Sequence, residues 1–185
     1  MRLKTILFLI CVLPSGLFSQ PYFPVRVNKL WGAMDSTGKV IIKPGFDQMY
    51  VYGPNNNYLS AFKGDSVFLF NSRLSIVAKT SYSAIIEHGE GMFQTKLRSK
   101  SHYPSFYGLM DSSGNVILEP KFCLMEPFSD GVAKVNIYID TIDNKPIEKS
   151  GIIDKSGNWI VPPIYEKHHL KSSSEGLVNF YQIEK

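Results

Sequence analysis

The sequence predicts an all-β protein: four tandem three-stranded antiparallel units in a curved, propeller-like or superhelical repeat array. Three observations predict it. A 16-column motif recurs without a gap at 31–46, 107–122 and 150–165, and a worn copy starts at Val67. A short apolar strand precedes each copy, led by Gly91 and Gly131 before the last two and less clearly matched by 24–27 and 57–62 before the first two. β-branched and aromatic residues prevail, and turn signals interrupt them too often for long helices. Recurrence at a near-constant period is the mark of stacked repeats, in which no unit buries both faces alone.

Composition agrees with a folded chain. Of 185 residues, 44% are hydrophobic, 13% aromatic and 19% charged, a balance too apolar for disorder. Two cysteines do not make a disulfide framework. A net charge of +4 is too small for bulk electrostatic binding of nucleic acid.

Residues 1–19 read as a secretory signal peptide. Arg2 and Lys4 form the positive start, Ile6 to Leu13 the apolar run, and Pro14-Ser15-Gly16 breaks it. A run of eight is far short of the roughly 20 residues a membrane-spanning helix needs. Cys11 is not read as a lipid-attachment site, because Phe8-Leu9-Ile10 lacks the small residue such processing favours. Cleavage after Ser19 removes Arg2 and Lys4, so the net charge falls from +4 to +2. Cys123 is then the sole cysteine, and stability must come from packing. The expected location is the periplasm, the cell surface or the medium. No later segment is long enough to span a membrane, so the mature chain is expected to be soluble.

The repeat domain is expected over 20–185. Unit one (about 22–48) opens with Pro24-Val25-Arg26-Val27. Then come Trp31-Gly32-Ala33-Met34-Asp35-Ser36-Thr37-Gly38, the triplet Val40 to Ile42, Pro44 and Phe46. Unit two (about 57–84) keeps the apolar columns through Val67-Phe68-Leu69-Phe70 and the triplet Ile76 to Ala78. It has lost both glycines and the proline. Unit three (about 91–124) reads Tyr107-Gly108-Leu109-Met110-Asp111-Ser112-Ser113-Gly114, then Val116 to Leu118, Pro120 and Phe122. Unit four (about 131–167) reads Ser150-Gly151-Ile152-Ile153-Asp154-Lys155-Ser156-Gly157, then Trp159 to Val161, Pro163 and Tyr165. A covering strand is expected over 175–183. Successive copies start 36, 40 and 43 residues apart, so the motif is fixed while the connecting loops vary.

Each column has a physical reading. Asp-x-x-Gly between apolar runs is a turn: the carboxylate accepts a backbone N–H two residues on, and Gly takes the positive φ of a bulged hairpin. Leu74 stands in that Gly column, which predicts a departing hairpin in unit two. Gly beside Trp or Tyr leaves a flat patch for a close neighbour. The continuous triplets suit strands covered on both faces. Pro, which has no N–H to donate, is expected to end the pairing.

These motifs resemble the WG-repeat family. The pattern W/Y-G-x-I/M-D-x-x-G, an apolar run and P-x-F/Y matches at units one, three and four, from Trp31-Gly32 onwards. Ser150 in unit four and Val67-Phe68 in unit two depart from it. The resemblance covers about 23–180. It implies bacterial, often exported proteins of tandem β-rich repeats with no common catalytic activity, and by analogy a binding or scaffold role.

Chemistry beyond that is sparse. Asp35, Asp111 and Asp154 occupy one column per repeat and read as turn caps rather than as a gathered acidic site. His168-His169 are adjacent, which sends their side chains to opposite faces of a strand, and no H-E-x-x-H or C-x-x-C spacing exists. No metal and no cofactor is expected. Cys123 falls in a column that varies freely. Two aromatic clusters are the candidate binding residues. Tyr50, Tyr52, Asn55, Asn56 and Tyr58 form a loop suited to a glycan or peptide. Tyr103 and Phe106, beside Lys96, Arg98 and Lys100, suit an anionic polymer. The expected function is a non-enzymatic binding or scaffold module of the bacterial envelope, with another protein or an envelope glycan as partner. The alternatives are a carbohydrate- or peptide-binding protein, and a hydrolase without a linear signature.

Overall fold

The computed structural model describes residues 22–52, 58–98, 105–142, 145–166, 170–174 and 177–180. They form strands and turns, with no helix among them. Four antiparallel sheets follow one another along the chain, and none closes on itself. Sheet 1 is β1 (Phe23–Val27), β2 (Leu30–Met34) and β3 (Val40–Phe46). Sheet 2 is β4 (Gln48–Tyr52), β5 (Tyr58–Lys63), β6 (Ser66–Phe70) and β7 (Ile76–Thr80). Sheet 3 is β8 (Ala84–Glu87), β9 (Phe93–Lys96), β10 (Tyr107–Met110) and β11 (Val116–Phe122). Sheet 4 is β12 (Leu124–Met125), β13 (Val132–Ile142), β14 (Lys145–Asp154) and β15 (Trp159–Glu166). A two-stranded sheet of β16 (Leu170–Ser174) and β17 (Leu177–Phe180) follows. The three strands expected per unit are present, and sheets 2 to 4 each gain a fourth in front. These added strands are as short as two residues, too brief for an alternation pattern to register in sequence.

The sheets stack in order, and each layer of core lies between two neighbours. The aromatic column (Trp31, Val67, Tyr107, Ser150) and the Gly column after it (Gly32, Phe68, Gly108, Gly151) point to opposite sides, as adjacent strand residues must. We call the Gly-column side the back face and the aromatic-column side the front face. The back face of sheet 2 carries Leu59, Ala61 and Phe70 against Ala33 and Phe46 of sheet 1. Its front face carries Val67, Leu69 and Ala78 against Ile85, Phe93 and Met110 of sheet 3. Leu109 and Phe122 of sheet 3 then meet Val135 and Ile153 of sheet 4. The added strands close each layer: Met49, Ile85 and Met125 are all buried. Leu170 is also buried, and β16 packs on β13, which continues the stack.

Proline does not end the pairing. β3, β11 and β15 run straight through Pro44, Pro120 and Pro163. The aromatic two residues on pairs with the aromatic column: Trp31 with Phe46, Tyr107 with Phe122, Ser150 with Tyr165. Two residues earlier the register has slipped, with Ala33 opposite Ile42 and Leu109 opposite Leu118. The outer strand therefore bulges opposite the Gly column. A Cβ on Gly108 would sit 2.5 Å from the Leu118 carbonyl oxygen and 2.8 Å from the Pro120 nitrogen, so only glycine fits. Proline suits the bulge because its nitrogen has no proton left unpaired. Sheet 2 supplies the control. Phe68 and Thr80 replace the pair, and there the ladder is regular from Val67–Thr80 to Leu69–Ala78.

The hairpin of unit two does not depart from the others. Asn71 Oδ1 accepts the N–H groups of Arg73 (2.9 Å) and Ser75 (3.1 Å), as Asp35 Oδ1 accepts those of Thr37 (2.9 Å) and Lys39 (3.1 Å). Leu74 adopts φ 59°, against 84° for Gly38. Left-handed backbone costs a non-glycine residue about 1–2 kcal/mol. Burial of the Leu74 side chain against the layer between sheets 1 and 2 offsets that cost.

Candidate binding surface

Period-two alternation along β4 places Gln48, Tyr50 and Tyr52 on one face. The rings of Tyr50 and Tyr52 lie 6.5 Å apart at 25°, a stacked pair. Phe62 meets Tyr50 edge-on at 5.9 Å and 86°, fixing its plane. Both phenols are anchored: Tyr50 donates to Gln48 Oε1 (3.1 Å), and Ser60 donates to the Tyr52 oxygen (3.2 Å). Burial raises the Tyr52 pKa above its ordinary value, so it stays a neutral phenol at physiological pH. Tyr50 keeps 47% of its surface exposed. The pair is a rigid apolar platform edged with hydrogen-bonding groups.

The other predicted residues part company from it. Tyr58 lies opposite Tyr52 in register, but its ring turns edge-on to Phe93 at 4.9 Å, inside the layer between sheets 2 and 3. It serves packing. Phe106 meets Tyr138 edge-on at 6.0 Å. Asn55, Asn56, Tyr103, Lys100, His102 and the His168-His169 pair lie outside the described residues. The basic run at Lys96 and Arg98 turns back onto the protein. The Lys96 ammonium sits 5.9 Å from the Tyr107 ring centroid. Arg98 donates to the Ser81 (3.2 Å), Asp65 (3.1 Å) and Tyr82 (3.4 Å) carbonyls and pairs with the Asp65 carboxylate.

The aromatic column has a partner on the strand before it, and the two change together. Arg26 lies over Trp31, its guanidinium carbon 5.4 Å from the ring centroid; Lys96 over Tyr107 repeats the arrangement. Phe62 and Val67 make the pair apolar in sheet 2. In sheet 4 it is polar and fully buried, with Ser150 donating to Asn136 Oδ1 at 2.8 Å and Asn136 donating to Glu148 (3.1 Å).

The aspartates cap their turns. Asp35 accepts the Thr37 hydroxyl at 2.6 Å as well as backbone N–H groups, and that hydroxyl bond is the largest cause holding its carboxyl below the usual range. Asp154 is lowered first by the N–H of Asn158. Burial works to raise Asp111, but the bonds from Asn115 and Ser113 outweigh it. His88 Nε2 lies 2.9 Å from the Met125 carbonyl oxygen, and burial lowers its pKa. The Cys123 N–H donates to the Asn136 carbonyl, where β12 begins. Among the described residues no group of three His, Cys, Asp or Glu could hold a metal, and no helix is long and apolar enough to cross a membrane.

A second surface escaped sequence reasoning. The first residue of each triplet, Val40, Ile76, Val116 and Trp159, is not covered on both sides but 38–55% exposed. Each follows a capped turn at the same register, opposite Met34, Phe70, Met110 and Ile153. The turns of sheets 3 and 4 rest on the outer strand of the sheet before, Gly114 on Val77 and Gly157 on Leu118. The four residues thus mark one rim of the array, one per unit. A triplet read as buried conceals this, since an exposed Val looks like a core Val in sequence.

A family model described as "WG containing repeat" matches three segments, 31–65, 107–137 and 151–180. No curated protein and no solved structure matches the chain.

Proposed function

Since the chain belongs to the WG-repeat family, we propose that it is an exported, non-enzymatic binding or scaffold module of the bacterial cell envelope. The rim row supports this reading: Val40, Ile76 and Val116, exposed at one register position in successive units, with Trp159 at the same position turned edge-on to Phe122, give an extended partner a repeated foothold. Side chains exposed at fixed spacing on a rigid array bind with little ordering of the protein itself. Export rests on the leader pattern of 1–19. Two measurements test the two halves. The chain recovered from its own host should begin at Gln20; recovery only from the cytosol with 1–19 attached overturns export. Isolated envelopes should retain the wild-type chain and release the triple variant Val40→Lys, Ile76→Lys, Val116→Lys at unchanged circular dichroism. Equal retention overturns the rim as the binding surface.

A second reading, a carbohydrate-binding surface, is favoured by the stacked Tyr50–Tyr52 pair. Flat rings edged with phenols suit the apolar face of a sugar ring. Titration with soluble cell-wall glycan fragments should give saturable binding that Tyr50→Ala weakens by about tenfold, or ~1.4 kcal/mol. No change on that substitution removes this reading.

A further inference from the structure

Sheets 3 and 4 meet at a joint that carries a titrating ring. His88 follows β8, and its Nε2 lies 2.9 Å from the Met125 carbonyl oxygen of β12. A carbonyl only accepts, so in the neutral ring Nε2 carries the proton and Nδ1 is bare. Three further contacts bind the same segment to sheet 4. The Phe128 N–H donates to the His88 carbonyl (2.8 Å). Gly89 lies so close to Phe128 that a Cβ would sit 2.5 Å from its carbonyl oxygen. The Glu90 carboxylate accepts the Gly131 N–H (3.1 Å) and pairs with the Lys155 ammonium (2.6 Å). Glu90 and Asp130 both hold left-handed backbone, φ 52° and 53°, which a residue with a Cβ adopts only where its surroundings enforce it. Segment 88–90 is thus a strap fastened across the joint under local strain.

The carboxylates beside the ring and across the joint are engaged elsewhere. Glu87 accepts the Gly89 N–H (3.0 Å), Glu126 pairs with Lys134 (3.2 Å), Glu90 with Lys155, and the Ser129 hydroxyl donates to Asp130 (3.4 Å). Gln94 shares the Met125 carbonyl (3.5 Å) and brings no charge. Burial of the ring therefore outweighs the pull of Glu87 and holds it neutral below the ordinary histidine range. His88 is the one histidine among the described residues, and histidine is the side chain whose ordinary titration falls between about pH 5 and 7. We propose that His88 is an acid-operated latch: its protonation drives the ring off Met125, releases the 88–90 strap and loosens sheet 4 from sheet 3 while both sheets stay folded. Charge costs most in the folded, half-buried site. The neutral ring thus fastens the joint above about pH 6.5, and the fastening is lost as pH falls from there through the folded value. The Glu90–Lys155 pair adds to the loss only at lower pH, where the carboxylate protonates.

Backbone amides report the joint directly. The Phe128 N–H bonds across it, whereas Ser83 donates to Lys96 within sheet 3 and Cys123 to Asn136 where β12 begins. Hydrogen exchange followed by NMR, with intrinsic rates divided out, should show Phe128 protection falling about tenfold between about pH 7 and pH 5, while Ser83 and Cys123 keep theirs. His88→Gln retains a side-chain N–H donor but does not titrate, so its Phe128 protection should be equal at both pH values. Gly89→Ala forces the strap off Phe128 and should show the low protection of acid already at neutral pH. Constant Phe128 protection in the wild-type chain overturns the proposal. A His88→Gln chain with the wild-type response overturns it too, by placing the trigger elsewhere. So does a Gly89→Ala chain with full protection at neutral pH and the full acid response, since the strap then does not hold the joint. Parallel loss at all three amides is general unfolding and likewise overturns the latch.

Discussion

Glycine does two separate jobs in this chain, and substitutions tell them apart. Gly38 and Gly114 share a positive φ, 84° and 87°, but only Gly114 is pressed against a neighbouring strand, at the Val77 carbonyl. Gly38→Ala should cost about 1 kcal/mol, the backbone term alone. Gly114→Ala should cost about 2–4 kcal/mol, because the clash with backbone adds to it. Urea denaturation of both variants checks the difference, and equal losses would show that the contact between sheets 2 and 3 is slack. Ser150 makes a third case. It fills the aromatic column with a buried hydroxyl that donates to Asn136. Ser150→Ala leaves that amide oxygen without its donor and should cost about 1–3 kcal/mol. The aspartate caps were legible from Asp-x-x-Gly alone; the Asn136–Ser150 pair was not, since residues 14 apart meet only through strand register.

The hairpins and bulges show which elements a sequence motif defines. Turns are local, so Asp35, Asp111 and Asp154 could be placed before any tertiary structure was known. Unit two was misjudged because a missing glycine looked decisive, whereas the Asn71 cap and Leu74 packing hold the same turn. The bulge at Pro44 was misread as a strand end because its cause, the glycine across the ladder, is not adjacent in sequence. The caps also give the hairpins a pH signature. Depressed carboxyl pKa values mean that the folded state binds fewer protons than the unfolded chain near pH 4. The stabilisation is present above the ordinary carboxylate range and is lost as pH falls through the folded values. Melting temperature should drop between about pH 5 and pH 2.5. The triple variant Asp35→Asn, Asp111→Asn, Asp154→Asn should start lower at pH 6–7 (about neutral, where the native caps are charged) and fall less. A parallel pair of curves would place the acid sensitivity elsewhere, Glu90 with Lys155 (2.6 Å) being the next candidate.

At the scale of the molecule the array was readable and its ends were not. Repetition announced stacked sheets, but the faces that remain uncovered depend on which neighbour is missing, and every column reads the same in a buried unit as in a terminal one. Sheets 2 and 3 are packed on both faces, sheet 1 on one. In dilute solution, amide hydrogens of β1 to β3 should exchange roughly tenfold or more faster than those of β5, β6, β9 and β10. Uniform protection would mean that the stack unfolds as one unit. The order of stacking has a mechanical side as well. Among the described residues each core layer joins neighbouring sheets, and sheets 1 and 4 lie at opposite ends of the three layers. Load applied between sheets 1 and 4 therefore falls on one layer at a time. Units 36–43 residues apart would each release about 12–15 nm of slack at roughly 3.4 Å per residue. Stretched in this way the protein would lengthen in a sawtooth of small, nearly equal steps, a shock absorber rather than a rigid strut.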